Sequence, residues 1–257
     1  MVRAKTENFL KFLGTAGARF VMIKQLRASG GIWIAFAGTN ILIDPGPGSL
    51  VKLAASRPKL DPGKLEAIIL THRHLDHAND INVVIEGMTE GGFKKRGVVF
   101  LPSDCLEMDP VILRHTRTLP EKMVVLKAKE NYQVGNIEFS VPLRHIHPVE
   151  TYGLKFKLGS REVSLISDTR FFNELIEAYR ADTVIINTVF LEPRPDIEHL
   201  SLEEAKEIIL NIRPRLTVLS HFGMSMLKAK PYEIARQLSR ETGLEILAAS
   251  DGLSVPL

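Results

Sequence analysis

Apolar residues occur along the chain in short runs separated by glycine, proline and charged residues. Runs of this length between turn residues predict β-strands. The run LEAIIL at 65–70 is apolar at almost every position, which is typical of a strand covered on both faces. The other predicted strands are 9–14, 32–38, 40–46, 97–102, 123–128, 137–143, 152–158, 162–168, 183–190, 216–222 and 244–250.

Helical features occur between these strands. From Ile81, apolar residues recur at i, i+3, i+4 and i+7, which predicts an amphipathic helix with Asp80 or Asn79 as its N-cap and an end near Gly91. Ser201 and Glu204 have the spacing of a capping box, which predicts the start of another helix. Further helices are predicted at 48–56, 171–180 and 231–243.

The order of these elements bears on the fold class. No linker, repeat or low-complexity segment interrupts the pattern, and helices are interspersed among many strands. Two sheets with helices outside them would accommodate this order. We therefore expect residues 1–257 to form a single α/β domain.

Composition and charge exclude several classes of protein. The net charge is +3 and the longest basic run is KKR at 94–96, so a strong nucleic-acid patch is not predicted. Cys105 is the only cysteine, which excludes an internal disulfide and a cysteine-based zinc site. No apolar run approaches the roughly 18 residues that span a bilayer, and the N-terminal residues 1–14 lack the pattern of a signal peptide. We expect a cytoplasmic protein without membrane partners, and the sequence leaves a homo-oligomer open.

The candidate chemistry is concentrated in THRHLDHAND, residues 71–80, directly after the apolar run LEAIIL. This stretch contains His72, His74, Asp76 and His77. Imidazole and carboxylate groups bind divalent metals, and one loop at the end of a strand can present all four. Solvated loop residues would gain nothing from this crowding, and protonated histidines would repel one another. The stretch therefore predicts a metal site.

Other candidate ligands also follow apolar runs. His145 and His147 close the run IEFSVPLRHIH, Asp168 closes 162–168, and His221 closes the run LTVLSH. We expect these groups to meet the metal loop at one edge of the sheets. One metal needs about four ligands, so a larger set favours two metals bridged by a carboxylate. A water between two cations would lose its proton near neutral pH and act as the nucleophile.

The ordered set His72-x-His74-x-Asp76-His77, followed by His147, Asp168 and His221, resembles the metallo-β-lactamase superfamily. The resemblance extends over essentially the whole chain and includes NILIDPGPGS before the metal loop. It implies a four-layer αββα sandwich of two mixed sheets with helices outside and the metals at one edge. It also implies two divalent ions, zinc first and manganese or iron as alternatives, since these ligands accept all three. The implied ligands are His72, His74 and His147 for one metal, Asp76, His77 and His221 for the other, and Asp168 as the bridge.

Some assignments stay open at this point. His145 competes with His147 as a ligand, and His147 is favoured because the ligand histidine of the family shortly precedes a glycine-containing strand, here HPVETYGLKF. Asp44 matches an early aspartate of the family and is expected to orient the metal loop through hydrogen bonds. His115 matches no ligand and is expected to be exposed.

The reaction class rests on resemblance to one branch of the superfamily, that of ribonuclease Z and cyclic phosphodiesterases. FLGTAGARF at 12–20, GPGS after Asp44, and His199 in EHLSLEEAKEII resemble motifs of that branch. The resemblance implies phosphodiester hydrolysis in which His199 protonates the leaving group and Asp76 serves as both a ligand and a catalytic residue. No long tRNA-binding arm separates His147 from Asp168, which favours a small-molecule or short phosphodiester as the substrate.

Two other classes of function are weighed against this one. A metal-dependent lactonase or thioesterase would not require His199 and would need an apolar groove, for which 88–93 and 222–227 are candidates. A non-catalytic metal-binding protein should have lost ligands, whereas none is missing here. Arg73 and Arg194 could each bind a phosphate oxygen, although solvated arginines are the commoner outcome.

Overall fold

The computed structural model describes residues 8–107 and 109–257. Within these ranges, strands form two seven-stranded sheets. The first sheet has the order β14-β1-β2-β3-β4-β5-β6, where β3 to β6 are parallel and the other pairs are antiparallel. Its strands are β1 (Phe9–Phe12), β2 (Ile32–Phe36), β3 (Thr39–Ile43), β4 (Ala67–Ile69), β5 (Val98–Leu101), β6 (Lys122–Val125) and β14 (Ser254–Pro256).

The second sheet has the order β13-β12-β11-β10-β9-β8-β7. Strands β10 to β13 are parallel and the pairs from β7 to β10 are antiparallel, so both sheets are mixed. The bounds are β7 (Asn131–Val134), β8 (Ile137–Ser140), β9 (Leu154–Leu158), β10 (Arg161–Ile166), β11 (Thr183–Asn187), β12 (Leu216–Ser220) and β13 (Glu245–Ala248).

Helices cover the outer faces of the two sheets. The interior between the sheets is filled by residues from both, such as Ile34 and Phe156. Ile81 and Val84 pack on the outer face of the first sheet, and Ile208 packs on the outer face of the second. The result is the expected αββα arrangement. The helices are α1 (Ala18–Ile23), α2 (Ser49–Ala55), α3 (Leu75–Ala78), α4 (Ile81–Met88), α5 (Glu174–Ala178), α6 (Leu202–Ile212), α7 (Met224–Lys228) and α8 (Pro231–Thr242).

Strand β4 confirms the interpretation of the run LEAIIL. Ala67 and Ile69 face the interior between the sheets, whereas Ile68 and Leu70 face the helical layer outside. All four side chains are fully buried. Apolar residues at consecutive positions are therefore required, because both faces of this strand are removed from water. The metal loop follows directly from this anchored strand.

Several weakly patterned elements were not predicted. These are α1, β7, α7 and β14, and the expected metal loop contains the short helix α3 with Asp76 and His77. Strand β7 has the sequence NYQV and lies at the edge of its sheet, so alternation of apolar residues is faint there. The predicted strand 137–143 is too long, since β8 ends at Ser140; Pro142 has no N–H for a sheet ladder.

The predicted cap at Asp80 has the right position, but its carboxylate accepts from the N–H of Leu50 (3.4 Å) and makes no cap hydrogen bond to α4. The part of the signal-peptide expectation that falls on residues 1–7 lies outside the described residues.

The capping box of α6 gives a test of local stability. Ser201 Oγ accepts from the N–H of Glu204, and a carboxylate oxygen of Glu204 accepts from the N–H of Ser201. Ser201→Ala is expected to lower the free energy of unfolding by about 1 kcal/mol. Unfolding in denaturant measures this change in free energy, and Ser160→Ala in the exposed turn after β9 is the control. Equal unfolding midpoints for the two variants would contradict the capping role.

Candidate metal centre

The candidate ligands lie in segments that follow strands of both sheets. The metal loop and α3 follow β4 of the first sheet. Asp168 follows β10 and His221 follows β12 of the second sheet. His147 lies in the segment between β8 and β9. Since the carboxyl ends of parallel strands share one edge of a sheet, two facing sheets bring these segments together.

Within the described residues, the side chains converge as four groups of three. The ligand atoms of each group lie within 4.8 Å of one another. Two of the groups match the ligand sets that the resemblance implies, and the others place Asp168 between them. The groups are His72, His74 and His147; Asp76, His77 and His221; His72, His77 and Asp168; and His147, Asp168 and His199.

Asp168 lies at the centre of this cluster. Its Oδ1 atom accepts a hydrogen bond of 2.8 Å from Nδ2 of Asn187, the last residue of β11. This contact fixes the carboxylate and leaves Oδ2 facing the histidines. From Oδ2 the distances are 3.4 Å to Nε2 of His77, 3.4 Å to Nε2 of His221, 3.5 Å to Nδ1 of His199 and 3.7 Å to Nε2 of His72.

Asp44 orients the metal loop, in the way the sequence predicts. Its backbone has φ of 50°, a left-handed conformation directly after β3. One carboxylate oxygen accepts from the N–H of Thr71 (2.7 Å), and the other accepts from Thr71 Oγ1 (2.7 Å) and lies 2.9 Å from Nδ1 of His77. Because a carboxylate can only accept, Nδ1 of His77 carries the proton and Nε2 is left to face the centre.

The other histidines are held in the same way. Nδ1 of His147 lies 2.9 Å from the carbonyl of Glu198, and Nδ1 of His72 lies 3.1 Å from Thr71 Oγ1. The carbonyl of Glu198 makes Nδ1 the protonated nitrogen of His147, so its Nε2 presents a lone pair to the cluster. The hydroxyl of Thr71 donates to Asp44 and is free to accept from His72, which leaves Nε2 of His72 unprotonated.

Burial and mutual charge set the protonation of the cluster. Burial lowers the pKa of His72 well below its usual value and lowers that of His74 to about 4. Burial also acts against the charged form of His77, yet Asp76, Asp168 and Asp44 raise its pKa. For Asp168, burial alone would raise the pKa, but the surrounding histidines, His221 first, hold it well below its usual value. The cluster therefore combines an ionised carboxylate at Asp168 with neutral imidazoles at His72 and His74, whereas the charged form is favoured at His77.

This donor set fits metal ions. Nε2 of His72 is buried without a hydrogen-bond partner. Nδ1 of His74 lies 3.1 Å from Nε2 of His147, and Nε2 of His77 lies 3.3 Å from Nε2 of His221. Two nitrogens that bind one tetrahedral zinc are about 3.3 Å apart, given Zn–N bonds of about 2.0–2.1 Å. The spacing of the ring nitrogens is therefore that of shared coordination.

The structure separates His145 from His147. His145 is buried, its Nδ1 lies 3.3 Å from the carbonyl of Asp168, and its Nε2 lies 2.8 Å from Oη of Tyr179. Both of its nitrogens are engaged away from the cluster, whereas His147 lies in the group with His72 and His74. His115 is exposed, as expected.

The candidate phosphate-binding arginines lie at the periphery. Arg73 bonds to Asp109 through Nη2 (3.1 Å), and Asp109 is almost fully exposed. The guanidinium of Arg194 lies 5.2 Å from the ring centroid of Phe190, and that ring lies 6.0 Å from the ring of His199. Of these two arginines, Arg194 therefore lies on the same side of the centre as His199.

The apolar groove considered for a carbonyl substrate does not form where the sequence suggested. Met88, Phe222 and Met226 are fully buried in the helical layers. Phe93 is exposed, but it lies in the loop after α4. The segments 88–93 and 222–227 therefore contribute core packing at Met88, Phe222 and Met226 and an exposed loop at Phe93.

Two residues of the site were missed by sequence reasoning. Asn187 holds Asp168, and Thr71 connects Asp44 to the metal loop. Asn187 ends the run TVIIN, so the rule that polar residues at strand ends gather at one edge could have found it. Thr71 carries no comparable signal in the sequence.

Comparison with known proteins agrees with this geometry. The family model described as "Beta-lactamase superfamily domain" matches residues 39–222, well over half of the chain. The chain belongs to this superfamily. Its sequence is 30% identical over 256 residues to the uncharacterized protein MJ1374 of Methanocaldococcus jannaschii, covering 96% of this chain and 94% of the relative. It is 27% identical over 192 residues to the probable metallo-hydrolase YhfI of Bacillus subtilis, covering 72% and 77%.

Solved structures of the superfamily share the fold. The structure of YhfI has a TM-score of 0.80 at 21% identity and covers 97% of this chain and 99% of its own. A diphosphatase of the PhnP family has a TM-score of 0.71 at 19% identity, covering 97% and 98%. The short form of human tRNase Z has a TM-score of 0.68 at 17% identity, covering 96% and 98%. At these identities the likeness shows the fold alone, and it confirms the predicted αββα sandwich.

Among the residues that the structure describes, no helix has the length and apolarity needed to cross a bilayer. The cytoplasmic location and the oligomeric state stay predictions.

Proposed function

We propose that the chain acts as one binuclear metal-dependent hydrolase domain on a small or short phosphodiester substrate, with His199 as the general acid. Superfamily membership and the clusters of histidine and aspartate support a metal-binding hydrolase. The number of metals, the substrate class and the roles of individual residues are proposed here in addition.

One observation carries the binuclear assignment. Two separate groups of three ligands flank a single carboxylate oxygen, Oδ2 of Asp168. When bound, two cations would neutralise phosphate oxygens and activate water for attack. The proposed ligands are His72, His74 and His147 on one side, Asp76, His77 and His221 on the other, and Asp168 between them.

The proposed general acid, His199, lies at the edge of this centre. Its Nδ1 is buried and lies 3.5 Å from Oδ2 of Asp168, while 15% of its side chain stays accessible. Because Nδ1 is buried beside the carboxylate, Nε2 is the nitrogen left to meet a substrate. The alkoxide that leaves in diester cleavage needs a proton, and an imidazole held by a carboxylate can donate one. The peripheral Arg194 lies beyond Phe190 on the same side.

The phosphodiester class is favoured over carbonyl substrates by two observations. The apolar segments that would have lined a groove for a lactone or thioester are buried at Met88, Phe222 and Met226. Solved structures with this fold include a diphosphatase of the PhnP family. A carbonyl hydrolase would leave the position of His199 beside Asp168 without a role.

The first test compares substrates on protein of measured metal content. Turnover of an aryl phosphodiester is compared with turnover of an aryl ester and a lactone. Diester cleavage that depends on two metal equivalents supports the proposal. Ester or lactone cleavage without diester cleavage would overturn the substrate class, and inertness of the fully loaded protein towards all three would favour a non-catalytic metal-binding protein.

Asp44 provides a test of the metal loop. Asp44→Asn would keep the size of the side chain but replace one acceptor oxygen by an NH₂ group. A donor of Thr71 or His77 would then lose its acceptor, and Nε2 of His77 would lose its fixed orientation. Metal affinity is expected to fall about 10- to 100-fold, measured by competition with a chromogenic chelator. Asp109→Asn, a change at an exposed aspartate outside the cluster, is the matched control. Unchanged affinity of the Asp44 variant would refute the orienting role.

A further inference from the structure

A buried chain of hydrogen bonds lies directly behind Asp168. His145 is 4% exposed and Tyr179 is fully buried. Nδ1 of His145 faces the backbone carbonyl of Asp168 (3.3 Å), which can only accept, so Nδ1 carries the proton. In the neutral ring Nε2 is then an acceptor, and the hydroxyl of Tyr179, 2.8 Å away, can donate to it.

The backbone is shaped to admit this contact. A Cβ atom at Gly153 would lie 2.4 Å from Oη of Tyr179 and 2.7 Å from Nε2 of His145, so only glycine leaves the space. Gly153 directly precedes β9. The glycine that helped to assign His147 from the sequence thus has a physical reason, which is the approach of Tyr179 to His145.

The same region connects two proposed ligands. The N–H of Arg170 donates to the carbonyl of Ile146 (3.0 Å), and the N–H of Ile146 donates to Thr169 Oγ1 (3.2 Å). These bonds and the His145 contact join the segment that carries His147 to the segment that carries Asp168. A shift of His145 would therefore move both ligand segments together.

We propose that His145 and Tyr179 form a buried positioning pair that fixes the backbone of Asp168 and so sets where its carboxylate binds metal. The inference rests on the metal-ligand role of Asp168 in the proposed function. Neither residue faces the substrate side of the cluster, and the pair acts through Asp168. Outer-shell partners of ligands commonly contribute 10- to 100-fold to metal affinity.

The first experiment removes one hydroxyl. Tyr179→Phe keeps the ring and deletes the donor to Nε2 of His145. Its affinity for Zn²⁺ and Mn²⁺, measured on apo-protein by chelator competition, is expected to fall about 10-fold or more. Tyr132→Phe is the matched control, because Tyr132 Oη also makes one hydrogen bond, accepting from the N–H of Lys127 (2.9 Å) at the far edge of the second sheet. Equal metal affinity of the two variants would overturn the inference.

The second experiment separates hydrogen bonding from packing. Gln at position 145 can accept from Tyr179 and donate to the carbonyl of Asp168, whereas Leu fills space without either bond. His145→Gln is expected to bind metal about 10-fold more tightly than His145→Leu, even where thermal unfolding shows the Leu variant to be the more stable apo-protein. If affinity instead follows apo-protein stability, the pair is only structural and the inference is wrong.

These experiments do not depend on catalysis. If the wild-type protein binds metal but cleaves no diester, the proposed reaction is wrong. The positioning role of His145 and Tyr179 is still tested by the metal affinities of the variants. If the wild-type protein cleaves diesters and the Tyr179→Phe and His145→Leu variants bind metal as tightly as wild type, the positioning role is wrong. The proposed reaction is then unaffected.

Discussion

Asp168→Ala is expected to lose at least one of the two metal equivalents and to abolish hydrolysis, a fall of about 1,000-fold or more in turnover. Oδ2 of Asp168 lies between the two proposed ligand groups, at 3.4 Å from Nε2 of His77 and 3.7 Å from Nε2 of His72. Without it, the buried imidazoles of His72 and His77 would face one another without the central carboxylate. Metal content by atomic emission and turnover of an aryl phosphodiester measure the two effects.

A second variant and a control make this result specific. Asp168→Asn keeps the shape of the side chain and removes its charge, so a similar loss would assign the effect to the carboxylate and not to a cavity. Asp196→Ala removes an exposed aspartate from the loop that precedes His199 and should leave both readouts unchanged. Full activity of Asp168→Ala with two metals retained would refute the bridging role.

His199→Ala is expected to retain both metals and to slow the cleavage of diesters with poor leaving groups by about 100- to 10,000-fold. Diesters with good leaving groups, such as nitrophenolates, should be slowed far less, since they depart without a proton. The reason is the placement of His199, whose Nδ1 is held 3.5 Å from the carboxylate of Asp168. The measurement is the dependence of turnover on leaving-group pKa, together with metal content.

The controls decide between two roles for His199. His115→Ala, at an exposed histidine, should leave the leaving-group dependence unchanged. An equal slowing of all substrates by His199→Ala would argue against proton donation. Loss of a metal would instead place His199 among the ligands, in the group that it forms with His147 and Asp168.

The sequence alone determined the features that depend on local pattern. Short apolar runs predicted most strands, the unbroken run LEAIIL predicted a strand covered on both faces, and Ser201 with Glu204 predicted the start of α6. The ordered histidines and aspartates predicted the superfamily and the sets of side chains that the structure brings together. Such features are readable because burial, capping and metal coordination each require particular residue types at fixed spacing.

Tertiary structure decided whatever depends on residues distant in the sequence. The edge strands β7 and β14 form because a neighbouring strand offers hydrogen bonds, and their own apolar pattern is weak. The choice between His145 and His147 is made by Tyr179, which contacts one ring from a distant helix end. The link from Asn187 to Asp168 likewise requires two neighbouring strands. The pattern of the chain specifies which groups are available, but only packing of the two sheets fixes which nitrogen faces a metal and which is held by a partner.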